Sequence, residues 1–313
     1  MAAEPESPFE AAYAAGIARE LPEPALPAGR TAVVSAAPAE TFALRGCVLT
    51  REGPLERAYI TVGEGTSIEA ISTRKPRNVR VHDTGGGVIL PGLIDLHGHP
   101  EFNVFAAWEP PRQFVNRYAW RGSDIYKELV RRPQDRLIGA LPPQTQLRYA
   151  EIRALVGGVT AIQGTSERIE RLEEESLVRN VDRWIFGRHR ARAMIDLPDE
   201  GERDFPRLQR IVGEIDAGEV DAFYLHLAEG RRDNQRSVDE WDRLLRTNAL
   251  TPATVIIHGA ALGRDQLVEL KDADGKLVWS PQSNLRLYGE TTLAADALDV
   301  GLKIGLGADW LPT

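Results

Sequence analysis

The chain has 313 residues, 42% hydrophobic and 27% charged, and carries a formal net charge of −8 at pH 7. That length suits one large domain with a smaller one beside it, and the acidic balance argues against a nucleic-acid partner, which would meet a basic surface. The single cysteine, Cys47, excludes an intramolecular disulfide and a thiolate-rich zinc site. No apolar run approaches the ~18 residues of a membrane span, and the start Met-Ala-Ala-Glu-Pro-Glu lacks the basic and apolar regions of a secretory signal. A soluble cytoplasmic protein with no membrane or nucleic-acid partner is expected; homo-oligomer formation is left open.

In chain order, residues 1–38 are rich in Ala, Pro and Glu and read as a disordered tail, with a short helix over Phe9–Ile17 as the one candidate element. Residues 39–88 carry short β-type runs, Phe42–Leu49, Ala58–Val62, Ser67–Ser72 and Arg80–His82, punctuated by Gly and Pro. They predict a small β-rich, sandwich-type domain, with Gly85-Gly86-Gly87 as a turn rather than a phosphate loop, because no helix opens after it. From residue 89 to 313, apolar strands alternate with amphipathic helices. The strands are expected at 88–96, 158–163, 182–186, 191–195, 221–227, 253–257, 276–280 and 302–306. Phe205, Leu208, Ile211, Val212 and Ile215 form one helical stripe. Ser237 and Glu240 read as a capping box ahead of a second, and a third runs from Thr292 to Val300 and stops at Gly301. Such alternation predicts an α/β fold around a parallel sheet, open or closed into a barrel.

The chemistry gathers at the strand ends. The run Ile89-Leu-Pro-Gly-Leu-Ile-Asp-Leu-His-Gly-His-Pro100 ends in His97 and His99, which a strand's period of two places on the same side. Further apolar runs end in His226-Leu-Ala-Glu229, in His258, in Ser280-Pro-Gln-Ser-Asn284 and in Gly307-Ala-Asp309. In a parallel barrel these C-terminal ends converge on one face, where active sites lie. Four of the six histidines occupy such ends; only His82 and His189 do not. Singly, each has an ordinary reading, a satisfied core histidine or a capping carboxylate, but the ordinary readings do not readily coincide at five strand ends.

With Pro-Gly-Leu-Ile-Asp-Leu-His-Gly-His at 91–99, Gly-Gly-Val-Thr at 157–160, His-Leu-Ala-Glu at 226–229, His258, Ser-Pro-Gln-Ser-Asn-Leu at 280–285 and Gly-Leu-Gly-Ala-Asp at 305–309, the chain resembles the amidohydrolase superfamily, in particular its mononuclear deaminase and chlorohydrolase branch. The resemblance covers about residues 42–313. It implies a (β/α)8 TIM-like barrel whose metal ligands are His97, His99, His226 and Asp309. Glu229, His258 and Asp309 would be catalytic: Asp309 accepting a proton from water, His258 polarising the attacked group or steadying the hydroxide, and Glu229 carrying a proton to the leaving side. No lysine lies in the candidate fourth strand at 191–195, where the binuclear branch has one, so one divalent ion, zinc or iron, is implied. The implied reaction is attack of a metal-activated hydroxide on an sp² carbon at a non-peptide carbon–nitrogen bond, as in deamination of a cyclic amidine or nucleobase-like small molecule. Chlorohydrolase-type displacement at a similar ring, or a non-catalytic barrel that only binds, are the alternatives.

Trp108, Trp120, Ser166, Asn284 and Arg286 are candidates for the substrate, beside ordinary readings as packed aromatics and surface polar groups; Phe114, Thr165 and Tyr288 stand with them. Strict alternation would turn Glu229 away from His226, so the strand must end near Leu227 and turn. Two departures from the family follow. Only about 60 residues separate the second strand from the His226 strand, which should reduce one helix to a loop, and the chain stops four residues after Asp309. Family members continue with a helix and further strands there, so a fragment truncated after the eighth strand is expected.

Overall fold

The computed structural model describes residues 40–64, 67–103, 108–141, 143–164, 176–184 and 190–310. The tail expected over 1–38, with its candidate helix, lies outside them. The chain divides into two compact units, Met1–Pro91 and Gly92–Thr313. In the first, β1 (Phe42–Thr50), β2 (Gly53–Val62), β3 (Ile68–Ser72) and β4 (Arg80–Ile89) form one sheet in the order β3-β2-β1-β4. The β1–β2 and β2–β3 pairs are antiparallel and β1–β4 is parallel. This is a single sheet among the described residues rather than the two layers of a sandwich. Val48, Ala58 and Ile60 form its small core, where alternate residues of two strands point to one face.

The glycine run of this unit is not a turn between strands. It lies inside β4, where Arg45 pairs with Asp83 and Cys47 with Val88, so Thr84–Gly87 loop out opposite Gly46. Gly85 and Gly86 adopt φ of 68° and 87°, and the Asp83 carboxylate accepts the Gly85 N–H at 2.9 Å. The triplet is thus a wide bulge that keeps one strand going.

In the second unit the strands are β5 (Leu93–Asp95), β6 (Val159–Ile162), β7 (Arg179–Asn180), β8 (Ala191–Met194), β9 (Ala222–Leu227), β10 (Thr254–His258), β11 (Lys276–Trp279) and β12 (Lys303–Leu306). All the pairings are parallel, in the orders β5-β6-β7 and β12-β11-β10-β9-β8. The first and last strands meet through Leu96 N–H to Leu306 O at 3.0 Å, Asp309 N–H to His97 O at 2.7 Å and a Gly98–Asp309 bridge. Among the described residues the β7–β8 seam has no strand pairing. The third strand lies at 179–180, not 182–186, and is followed directly by the one-turn helix α5 (Val181–Trp184).

The helices before α5 are α1 (Arg117–Gly122), α2 (Asp124–Tyr126), α3 (Arg132–Ala140) and α4 (Pro143–Val156), with a π-helical stretch, Lys127–Arg131, between α2 and α3. After it come α6 (Phe205–Asp216), α7 (Gln235–Arg246), α8 (Arg264–Asp272), α9 (Pro281–Tyr288) and α10 (Ala294–Asp299). The α6 stripe buries Leu208, Ile211 and Val212 against Phe223, Leu225 and Leu227 of β9. The intervening Ala222 and Tyr224 join Val255, Ile257 and Val278 in a separate inner cluster. This alternation carries His226 to the inner side. The expected capping box on α7 is replaced: Asn234 caps, accepting the Ser237 N–H at 3.2 Å, and Glu240 is engaged elsewhere. No helix of the described residues is long and apolar enough to cross a membrane.

Candidate active site

His97 and His99 follow β5, and His226 is the penultimate residue of β9. The His97 ring centroid lies 4.8 Å from that of His99, 4.7 Å from His226 and 5.4 Å from His258. Asp309 enters from beyond β12, its Oδ1 3.2 Å from His97 Nε2 and 3.4 Å from His99 Nε2. His97 and Asp309 can approach this closely because residue 307 is glycine: a Cβ there would stand 2.6 Å from the His97 Cβ. Asp95 braces the same corner, its Oδ1 accepting the backbone N–H groups of His97 at 3.2 Å and Ala308 at 2.9 Å.

Three side chains reach the site only because the chain turns sharply at the strand ends. Ala228, His258 and Asp309 have φ of 51°, 70° and 65°, a left-handed conformation that costs a non-glycine residue about 1–3 kcal/mol. The turn at Ala228 brings Glu229 to the His226 side, as alternation required: Glu229 Oε2 lies 3.7 Å from His258 Nε2. His258 Nε2 is 3.9 Å from Asp309 Oδ2, and its Nδ1 is 2.9 Å from Asn284 Oδ1. Asn284 in turn donates to Thr292 Oγ1, which donates to the His258 carbonyl. The imidazole is therefore held from behind.

The electrostatics match a cation site. Burial would raise the Asp309 carboxyl, but His97, then His258 and His99, outweigh it and hold it well below the usual carboxylate range. Burial, then the charge of His97, pushes His99 down to about 4, and burial holds His226 well below its ordinary value, so these rings stay neutral and keep a lone pair for a metal. His97 Nε2 is buried and has no hydrogen bond among the described residues despite its nearness to Asp309. An imidazole nitrogen left unsatisfied beside a carboxylate and further imidazoles fits a divalent cation of the zinc or iron type. The sets His97–His99–His226 and His97–His258–Asp309 each bring their ligand atoms within 4.8 Å of one another.

Glu229, His258 and Asp309 face a cavity of about 200 Å³, whose aromatic wall is Phe102, Trp120, Tyr126 and Trp310, with Arg121, Arg131 and Gln134 also lining it. A second cavity of about 480 Å³ borders the other side of His97 and His226, toward Gln163, Met194 and Arg207. Of the residues expected at the substrate, Trp120 lines the smaller cavity. Trp108 does not; it is buried against Phe114 and Tyr126. Arg286 is turned to the Trp108 carbonyl at 3.3 Å and toward Glu109 at 3.9 Å, and Asn284 is wholly buried behind His258. None of these three lines the cavity beside Glu229. Ser166 and Thr165 lie outside the described residues.

Sequence reading missed a buried ion pair that frames Glu229. Arg117, 1% exposed, donates to Glu240 Oε2 at 2.9 Å and to Asp196 Oδ1 at 3.0 Å. Burial opposes its charge, yet Glu240 and then Glu229 hold its guanidinium above its ordinary value. Glu240 Oε2 also accepts the Ala228 N–H at 2.6 Å, and the Arg117 N–H donates to the Glu229 carbonyl at 3.1 Å. The left-handed turn before Glu229 is thus bonded on both sides. Tyr288, a substrate candidate beside its ordinary reading as a packed tyrosine, is wholly buried, and its hydroxyl is 2.5 Å from Glu229 Oε1. Of the ion pair, the Glu240 position carried a local signal, and that pointed to a cap.

No protein-family model matches the chain. It is 24% identical over 272 residues to guanine deaminase of Mus musculus, across 70% of this chain and 56% of that protein. To 5-methylthioadenosine/S-adenosylhomocysteine deaminase of Bacillus cytotoxicus it is 20% identical over 289 residues, across 81% of this chain and 65% of the relative. It thus spans somewhat more than half the length of these curated relatives. Among solved structures, an atrazine chlorohydrolase of Arthrobacter aurescens TC1 complexed with zinc superposes with a TM-score of 0.63 at 18% identity, covering 86% of this chain and 72% of that one. A guanine deaminase of C. acetobutylicum with bound guanine gives 0.62 at 13% identity, over 86% and 74%. Both structures share the parallel α/β barrel. In its ordered strand-end motifs and in these curated relatives the chain resembles the amidohydrolase superfamily, and it shares its fold with the two solved structures.

Proposed function

We propose that the protein is a metal-dependent hydrolase of non-peptide carbon–nitrogen bonds that deaminates a small nucleobase-like ring. The observation that carries this is the convergence of His97, His99, His226 and Asp309 with Glu229 and His258 on one aromatic-walled cavity. The first four would hold one divalent ion, zinc or iron, which when bound supplies an activated water at neutral pH. Asp309, which meets His97 and His99, would accept the proton given up by the attacking water. His258, fixed by Asn284, steadies the attacked carbon's substituents. Glu229 delivers a proton to the ring nitrogen or the departing amine, help of the kind worth about 10²–10⁴-fold. The aromatic wall of Trp120, Tyr126 and Trp310 suits a flat ring. The guanine and methylthioadenosine deaminases among the relatives favour a purine-like substrate. The single thiol fits a reducing, cytoplasmic setting.

The test is metal stoichiometry together with ammonia and chloride release from purines, pyrimidines and chlorinated or aminated triazines. One zinc or iron per chain with ammonia release is the expected result. Chloride release alone would assign the chlorohydrolase reaction, and a metal-free, inert protein would make it a binding module. Glu229→Gln should abolish turnover and keep the metal; persistent turnover would remove Glu229 from proton transfer.

A further inference from the structure

We infer that Tyr288 is a positioning residue that selects which oxygen of Glu229 handles the proton, and that Trp120 ties this choice to the substrate wall. The inference rests on the hydrolase reading above. Tyr288 is the last residue of α9 and is wholly buried. Its hydroxyl lies 2.8 Å from Trp120 Nε1 and 2.5 Å from Glu229 Oε1. An indole N–H can only donate, so the tyrosine oxygen accepts from Trp120. The one hydroxyl hydrogen is then free for the carboxylate, and Glu229 Oε1 accepts it. With Glu229 ionised, the direction of both bonds follows from this donor inventory.

With Oε1 occupied, Oε2 is the oxygen that lies 3.7 Å from His258 Nε2, and both residues line the cavity. A carboxylate held in one plane presents one oxygen at a fixed place, and a displacement of about 1 Å in such a group can cost on the order of 10²-fold in rate. Trp120 is itself fixed: its ring centroid is 4.8 Å from Tyr126 and 5.9 Å from Trp310, and all three line the cavity. The chain from cavity wall to Glu229 therefore runs through two hydrogen bonds, both buried. Because Tyr288 lines neither of the two cavities described above, its effect should appear in turnover and not in substrate binding.

The test compares Tyr288→Phe, Trp120→Phe and the double variant in the metal-loaded protein. Tyr288→Phe should lower kcat by about 10- to 100-fold with KM unchanged within about twofold and metal content intact. Trp120→Phe should lower kcat less, and the double variant should match Tyr288→Phe, since both cut one relay. Unchanged kcat in Tyr288→Phe, multiplied effects in the double variant, or a loss of metal with a parallel rise in KM would each overturn the proposal. Crystal structures of metal-loaded wild type and Tyr288→Phe give a readout that needs no turnover: the Glu229 carboxylate should rotate once the hydroxyl is gone. A carboxylate that stays in place overturns the positioning role whatever the reaction. A wild type that binds metal, keeps the Tyr288–Glu229 bond and turns over no ring substrate refutes the hydrolase reading alone.

Discussion

Replacing Arg117 by Met should destabilise the protein by about 3–5 kcal/mol, because it leaves the Glu240 carboxylate buried without its counter-charge. Both side chains are 1% exposed, and Glu240 would keep only two neutral donors, the Ala228 N–H and the Tyr118 hydroxyl at 2.8 Å. Against a typical total of about 5–15 kcal/mol, this is a large fraction of the stability. Glu240→Gln should cost less, about 1.5–3 kcal/mol, the value of a charged hydrogen bond. Arg117 would still pair with Asp196, although that carboxylate is 44% exposed and therefore screened. In the double variant both charges are gone, while the Gln oxygen can still accept from Ala228. Its cost should not exceed that of Arg117→Met alone, which corresponds to a coupling of about 2 kcal/mol. Urea unfolding of the metal-free chain reads this as shifts in midpoint at constant slope. A cost below about 1 kcal/mol for Arg117→Met, or additive costs in the double variant, would refute the ion pair as the brace of the Glu229 turn.

Three further outcomes follow from the same geometry. Asn284→Ala removes the partner of His258 Nδ1 and should lower kcat by about 10²-fold while metal content, measured by atomic absorption, stays at one per chain. Metal at 100 times its dissociation constant should stabilise the wild type by about 2.7 kcal/mol, read as a rise in Tm that chelation reverses and that His97→Ala abolishes. For the metal-free protein, His99 is held down to about 4 by burial and by His97, below the ordinary imidazole value of 6.5. Above pH 6.5 it is neutral folded or unfolded and contributes nothing. Between pH 6.5 and 4 only the unfolded chain binds the proton, so stability should fall by up to about 3 kcal/mol. His99→Gln should flatten that part of the urea-midpoint profile, and an unchanged profile would show that His99 is not buried neutral.

Much of the site was legible because it is built from local periodicities. The spacing of two pairs His97 with His99, just beyond β5, and the apolar run before His226 puts that side chain at the end of β9. The α6 stripe and the Gly301 stop were equally local. Gly301 has φ of 77° and returns its N–H to Leu298 O at 3.0 Å. Where two local solutions competed, the tertiary context chose. Asn234 rather than Ser237 capped α7, because the Glu240 carboxylate that would complete the box had the better partner in Arg117.

The sequence by itself determined which residues can meet a metal, since donor type and strand period are properties of neighbours. It also determined that Glu229 needed a turn after Leu227. Only the tertiary structure decided that Ala228 would make that turn and what would hold it there. The brace joins Arg117 to Glu240 across 123 positions and Tyr288 to Glu229 across 59. No local pattern encodes such a pair, because either partner could satisfy its hydrogen bonds with water until the barrel excludes it. Burial makes those bonds obligatory, and only the closed fold determines which distant groups are buried together.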